Sequence, residues 1–241
     1  YALYICGYNN PTLIFNNNTI ENNSNGIRLE TVNNLTLPTT NTIRNNGGYA
    51  YNLISMNNIT IKDTSFDNSV KSYTTAIYVR SVTNFLAENL TIANSSGNAI
   101  HFKSITNITL RNLTITNPSE RGIYFEDSCT NITIENVTIS SPGYEGIRSY
   151  NPLNKVTIKD VIINSPGDNG IELGDQDITI HNVTITSASS TAIIISGRNI
   201  TITNSTINGV SGYDGIKIDG RGTIRLENNV ITGVAGSSYY A

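Results

Sequence analysis

One phrase recurs along this chain, and its interval constrains the fold more tightly than any other feature. Asn107–Ile115 reads NITLRNLTI, Asn131–Ile139 reads NITIENVTI and Asn199–Ile207 reads NITITNSTI. A turn follows each copy, and beyond the turns short segments open on Gly-Ile at Gly122, Gly146, Gly170 and Gly215. The first apolar residue of each such segment falls at Leu3, Ile27, Tyr51, Ile77, Ile100, Ile123, Ile147, Ile171, Ile193 and Ile216, in steps of 22–26 residues. A period of this size marks a repeat architecture, in which each unit buries its apolar face only against its neighbours.

Within each step lie three short runs of strict alternation, such as Ile132-Thr133-Ile134. Period two is strand periodicity, and no stretch carries a helical apolar face. Three strands and three turns per unit predict an all-β chain, a parallel β-helix of about ten coils of 22–26 residues. At roughly 4.8 Å per coil the rod is about 48 Å long. Ile and Val fill the interior and Thr lines the outside. Between the second and third strands stands Asn or Asp: Asn17, Asp63, Asn89, Asn112, Asn136, Asp160, Asn182, Asn204 and Asn228. These types tolerate left-handed backbone, and stacked at one corner they form an amide ladder that the Asp members perturb. Gly, Pro and Ser mark the third turn, as in SPGYEG from Ser141.

The three-strand coil, the inward Ile/Val stacks and the Asn corner resemble the right-handed parallel β-helices of the pectin-lyase-like superfamily, over nearly the whole chain. The right hand comes from that resemblance and from the preference of parallel crossovers. The resemblance also implies a saccharide groove on the first-strand face.

Composition excludes several functions. Charged residues make up 14% of the chain and the net charge is −3, so no basic stripe exists for nucleic acid. No apolar run approaches a membrane span. With two histidines, His101 and His181, neither a metal cluster nor a cofactor is expected. Cys6 and Cys129 sit five coils apart, about 24 Å, too far for a disulfide; two free thiols suit a reducing cytoplasm or an anaerobic surface, and Cys6 stays open to intermolecular bonding. Thirteen Asn-x-Ser/Thr sequons occur. Most follow from writing Asn at a corner and Thr outward. The second-strand set Asn34, Asn58, Asn107, Asn131 and Asn199 is the more open to glycosylation, whereas Asn89, Asn112, Asn136, Asn182 and Asn204 are ladder residues.

The outward rows of the second strand (Thr36, Thr60, Thr109, Thr133) and third strand (Thr42, Thr91, Thr114, Thr138) are monotonous. Such rows suit a solvated face and also resemble some ice-binding solenoids. The first-strand rows are not monotonous. One reads Tyr4, Arg28, Asn52, Tyr78, His101, Tyr124, Arg148, Glu172, Ile194, Lys217; the other reads Cys6, Glu30, Ile54, Arg80, Lys103, Glu126, Tyr150, Gly174, Ser196, Asp219. Tyrosine offers an apolar plate with a polar edge for sugar rings, and Arg, Lys and Glu direct hydrogen bonds to acidic sugars. Tyr78, Arg80, His101, Lys103, Tyr124, Glu126, Arg148, Tyr150 and Glu172 are therefore the expected carbohydrate contacts.

Catalytic signatures are weak. Glu126 and Glu172 lie two rungs, roughly 10 Å, apart, at the long edge of the inverting range. The calcium cluster of pectate lyases and the paired-Asp signature of polygalacturonases are missing. Residues 1–241 read as one β-helix domain uncapped at both ends, either a segment of a longer chain or a unit assembling head to tail, with Tyr1, Tyr4, Tyr239 and Tyr240 at the junctions. The sequence thus predicts an extracellular or cell-surface rod, structural or adhesive, filament- or layer-forming, with a polysaccharide or surface glycan as partner. A polysaccharide lyase, epimerase or glycoside hydrolase using the same face is the alternative, and an ice-binding solenoid the third reading.

Overall fold

A computed structural model of the chain describes residues 1–7, 17–37, 41–67 and 74–236. It contains strands only, all paired in parallel in one continuous coiled sheet. The indexed residues are register partners without a slip: Leu3, Ile27, Tyr51, Ile77, Ile100, Ile123, Ile147, Ile171, Ile193 and Ile216 stack in one column. The ten rungs match the ten coils expected. The Thr rows stack likewise, Thr109 on Thr133 on Thr157 on Thr179 on Thr201.

Alternation sets burial. In the strand Thr130–Ser140, Ile132, Ile134, Val137 and Ile139 are buried while Thr133 and Thr138 are partly solvated. The core is a single column of Ile, Leu and Val with aromatic steps in its middle coils. Phe85, Phe102 and Phe125 sit on consecutive rungs with ring centroids 5.4 Å apart, and Tyr51 meets Phe66 edge-on. The Tyr51 hydroxyl is buried among apolar groups with no hydrogen-bond partner.

All three corners are left-handed; after the third strand Asn45, Asn94, Asn117, Ser141, Ser165 and Ser187 have φ of 49–54°. The expected Asn/Asp column between the second and third strands has φ between 45° and 56° throughout. Its amides form a ladder in which Nδ2 donates to Oδ1 of the preceding coil: Asn89 to Asp63 at 2.7 Å, Asn112 to Asn89 at 3.0 Å, Asn136 to Asn112 at 2.8 Å and Asn182 to Asp160 at 2.6 Å, while Asn204 Nδ2 faces His181 Nδ1 at 3.5 Å. Asp160 has no N–H for Asn136, and its carboxylate is met instead by Lys159 at 3.3 Å.

A second ladder, not anticipated, runs between the first and second strands. Asn58 donates to Asn34, Asn84 to Asn58 and Asn107 to Asn84, each at 2.6 Å, and Asn131 donates to Asn107 at 2.9 Å. Lys155 and Asp177 interrupt it, and Asn199 donates to Asp177 at 2.8 Å. The sequons judged more open thus lie in this ladder, with φ of 53–61° and amide groups already engaged. The two sequon classes distinguished in the sequence have the same structural setting.

At one end Tyr1 and Tyr4 are exposed, with the Arg28 guanidinium 5.7 and 5.6 Å from their ring centroids. At the other the last coil leaves Ile224, Leu226 and Ile231 largely exposed. Tyr239 and Tyr240 lie outside the described residues, as do most of the turns at Pro38–Asn41 and Asp67–Thr75.

Candidate functional site

The first strand positions its outward side chains one per rung, and in the middle coils they form a continuous aromatic ribbon. Tyr78 meets His101 edge-on with ring centroids 5.0 Å apart, and His101 meets Tyr124 at a tilt of 49° with centroids 4.8 Å apart. Tyr49, from the third turn, extends the ribbon by packing on Tyr78 at 5.3 Å. The ribbon ends in cations: the Arg121 guanidinium lies 4.8 Å from the Tyr124 centroid and 5.6 Å from that of Tyr144. Half-burial in this stack pushes the phenols of Tyr49, Tyr78 and Tyr124 above their ordinary range. They stay protonated, each a hydroxyl donor beside an apolar ring face.

The charges beside the ribbon are paired. Lys103 Nζ donates to Glu126 Oε1 at 2.7 Å, and His101 Nε2 faces Glu126 Oε2 at 3.0 Å. The Lys103 hydrogen bond holds the Glu126 carboxyl below its usual range. Burial holds the His101 imidazole below its ordinary pKa, so it is neutral at pH 7 and carries its proton on Nε2, toward the carboxylate.

One rung further, Glu145 is 1% exposed and bound on both sides, by Arg121 Nε at 2.7 Å and by Arg148 Nη1. Arg148 reaches on to Glu172 at 3.4 Å, and Asn169 Nδ2 donates to Glu172 at 2.8 Å. This chain of five side chains fixes the lower half of the face.

Of the nine expected contacts, Tyr78, His101 and Tyr124 form the ribbon. Lys103 and Glu126 flank it, and Arg148 and Glu172 join the ionic chain. Arg80 is exposed and makes no ion pair among the described residues. Tyr150, 69% exposed, stands on the outer row two residues beyond Arg148. Sequence reasoning missed Tyr49, Arg121, Tyr144 and Glu145, which come from the third turn. A signal existed: Asn98, Arg121, Glu145, Asn169 and Thr191 each precede the small residue that opens a first strand. Their side chains stack as a further column, as when Arg121 N–H donates to Asn98 Oδ1 and Thr191 N–H to Asn169 Oδ1.

Among the described residues no group of three His, Cys, Asp or Glu is placed to hold a metal ion. No helix is long and apolar enough to cross a membrane. Cys6 is exposed, Cys129 is buried, and both are free thiols.

A family model described as "Right handed beta helix region" matches residues 55–176 and 145–241. No curated protein matches the chain in sequence. Among solved structures it is similar to PfbA, a surface adhesin of Streptococcus pneumoniae, at 13% identity and TM-score 0.49, over 97% of this chain and 84% of that one. A family 28 exopolygalacturonase of Yersinia enterocolitica aligns at 11% identity and TM-score 0.46, over 84% of this chain and 47% of that one. The A-module of the mannuronan C-5 epimerase AlgE4 of Azotobacter vinelandii aligns at 14% identity and TM-score 0.30, over 90% and 81%. Likeness at this level assigns no activity.

Proposed function

Because the chain belongs to the right-handed beta helix region family, a scaffold that fixes shape and leaves chemistry to the surface, we propose a function from that surface: a structural or adhesive rod of the cell surface that binds a polysaccharide or surface glycan along its first-strand face. The observation that carries this reading is the Tyr49–Tyr78–His101–Tyr124 ribbon. It places aromatic rings one rung apart on the one side where the repeat breaks. Its flanking charges are locked by partners, which suits a preorganised binding surface. A general acid needs a carboxyl whose pKa is raised; Glu126 is lowered and Glu145 is sealed between two guanidinium groups. This favours binding over hydrolysis.

The test is a glycan array probed with the wild-type chain and with Tyr124→Ala. Loss of one stacking platform is expected to weaken the bound glycan about tenfold or more. A wild-type chain that binds no glycan sinks the proposal.

A second reading rests on the His101–Glu126 pair, a neutral imidazole oriented by a carboxylate, which is the arrangement a base-catalysed lyase or epimerase uses. Appearance of unsaturated or epimerised product from a glycuronan, abolished in His101→Gln, would favour it. The Thr faces are less suited to ice. Leu86 and Ile162 interrupt their rows, and a groove of about 490 Å³ beside Leu86, Asn58 and Asn84 makes the second-strand face uneven. Head-to-tail stacking is part of the proposal: the exposed Ile224, Leu226 and Ile231 are the groups a following coil or a second copy would cover.

A further inference from the structure

Over the rungs that follow Glu126, the edge of the first-strand face opens into a cleft of about 380 Å³. Its lining is Pro152, Gln176, Ser196, Gly197, Arg198, Asp219 and Arg221. Arg198 and Arg221 are register partners on adjacent strands, so two guanidinium side chains leave the sheet one rung apart. Like charges directly opposite are unfavourable, and this chain elsewhere sets acid against base across rungs: Glu21 with Arg44, Glu135 with Lys159, Arg148 with Glu172. Arg80 and Lys103 also stack, but Glu126 neutralises Lys103. Arg198 and Arg221 are both exposed, and neither is in an ion pair with any described residue.

Local backbone leaves the pair open, with Asp219 as the acid of the same lining. Beside them Gly197 stacks on Gly220 and Ser196 on Asp219, so the floor of the cleft is low. Directly after Arg221 the register shifts, with Gly222 and Thr223 opposing the single Asn199. Gly222 has φ +79°, and a Cβ there would lie 2.9 Å from Asn199 Oδ1. Bulges re-aim neighbouring side chains and occur beside functional sites. The described lining therefore carries two cations and one anion around a shallow floor. Guanidinium forks match carboxylates and sulfate esters through paired N–H donors.

We infer that Arg198 and Arg221 form a subsite for the carboxylate or sulfate group of an acidic glycan. This deepens, and rests on, the proposed carbohydrate-binding role of the first-strand face. Arg198 and Arg221 lie about 14 and about 19 Å along the rod from Glu126, so one polymer chain lying along the face meets both the ribbon and the arginines. The ribbon supplies stacking, and the arginines select for charge.

Two measurements on the full chain test it separately from the ribbon. In the first, arginine Nε–H resonances of 15N-labelled protein are followed on addition of methyl glucuronide, glucose 6-sulfate or methyl glucoside. Saturable shifts at Arg198 and Arg221 are expected with the acidic sugars and not with the glucoside, and the stronger ligand identifies carboxylate or sulfate. In the second, oligosaccharide binding is compared between wild type and Arg198→Gln/Arg221→Gln. The double variant should lose about tenfold or more in affinity for the acidic oligosaccharide and none for its neutral counterpart, whereas Tyr124→Ala weakens both. Equal shifts with the glucoside, no shifts with either acidic sugar, or an unchanged acidic affinity in the double variant would overturn the inference. Shifts at the two arginines without any oligosaccharide binding would refute the ribbon and leave the anion site standing.

Discussion

Replacing Glu145 by alanine is expected to destabilise the middle of the rod more than any other single charge removal on the described surface. Its carboxylate is 1% exposed and lies between Arg121 and Arg148. Removing one partner of a fully buried ion pair costs about 3–5 kcal/mol, because the remaining charge is stranded. Here the stranded guanidinium groups are 22% and 26% exposed, and Arg148 retains Glu172 at 3.4 Å. Partial hydration lowers the expected cost to about 2–3 kcal/mol. For a chain of this length that corresponds to a fall in unfolding midpoint of about 4–12 °C. Glu145→Gln keeps an acceptor oxygen and should fall between wild type and alanine. Circular dichroism gives the midpoint. Amide exchange at Ile123 and Ile147 locates the loss, since a solenoid opens between neighbouring repeats. If Glu145→Ala shifts the midpoint no more than Lys159→Ala, which removes a pair exposed to water, the reasoning about the buried triad is wrong.

Three further outcomes follow from the geometry. Asn112→Ala should cost about 1–2 kcal/mol in urea titrations, from left-handed backbone strain and a lost ladder bond, whereas Asn112→Gly should cost less because glycine removes the strain; equal losses would show that φ is not the cause. Burial holds the His101 pKa below 6.5 in the folded chain, so between that value and 6.5 the unfolded chain binds more protons and stability falls as pH falls. His101→Gln should flatten that part of the stability profile, leaving the further loss below about pH 4.5 that comes from Glu126, whose folded pKa is lowered chiefly by Lys103. Burial pushes the Cys129 thiol up to about 11; iodoacetamide at neutral pH should therefore label Cys6 in the folded chain and reach Cys129 only in denaturant, as peptide mass mapping would show.

The scaffold was legible in the sequence because it is periodic. Every column from Leu3 to Ile216 is a register partner in the structure, since a one-residue slip would turn Ile outward and Thr inward. The Asn112 corner was legible for the same reason. The Asn107 corner was written in the sequence too, but its Asn residues read as sequons before a strand, and the left-handed angle that makes them a ladder is a backbone property. The site was legible on the strand and not in the turn. Tyr78, His101 and Tyr124 announce themselves because their row departs from the Thr rows of the other two strands. Glu145 sits in SPGYEG, where turn chemistry explains every letter, and only packing shows that its side chain folds under Arg121. The Arg198–Arg221 pair follows the same offset as Ile193–Ile216, but that the two guanidinium groups lack acidic partners among the described residues needed the structure.

Every ladder amide reaches back toward the preceding coil, and both columns fail at the same step. Between the coil that begins at Ile123 and the one that begins at Ile147, Asn136 meets Asp160 and Asn131 meets Lys155. Across that step the corners are tied instead by charge: Glu135 to Lys159 at one, Arg121 to Glu145 at the other side of the coil. Strand bonds continue through it unchanged. For a rod under tension this makes a joint whose strength at exposed Glu135–Lys159 is set by ionic strength, whereas several other steps also carry an amide bond of one or both ladders. Salt loosens that joint by screening, so in brine this step is held by its strand bonds and the buried Glu145 pair, just past the Tyr124 end of the aromatic ribbon.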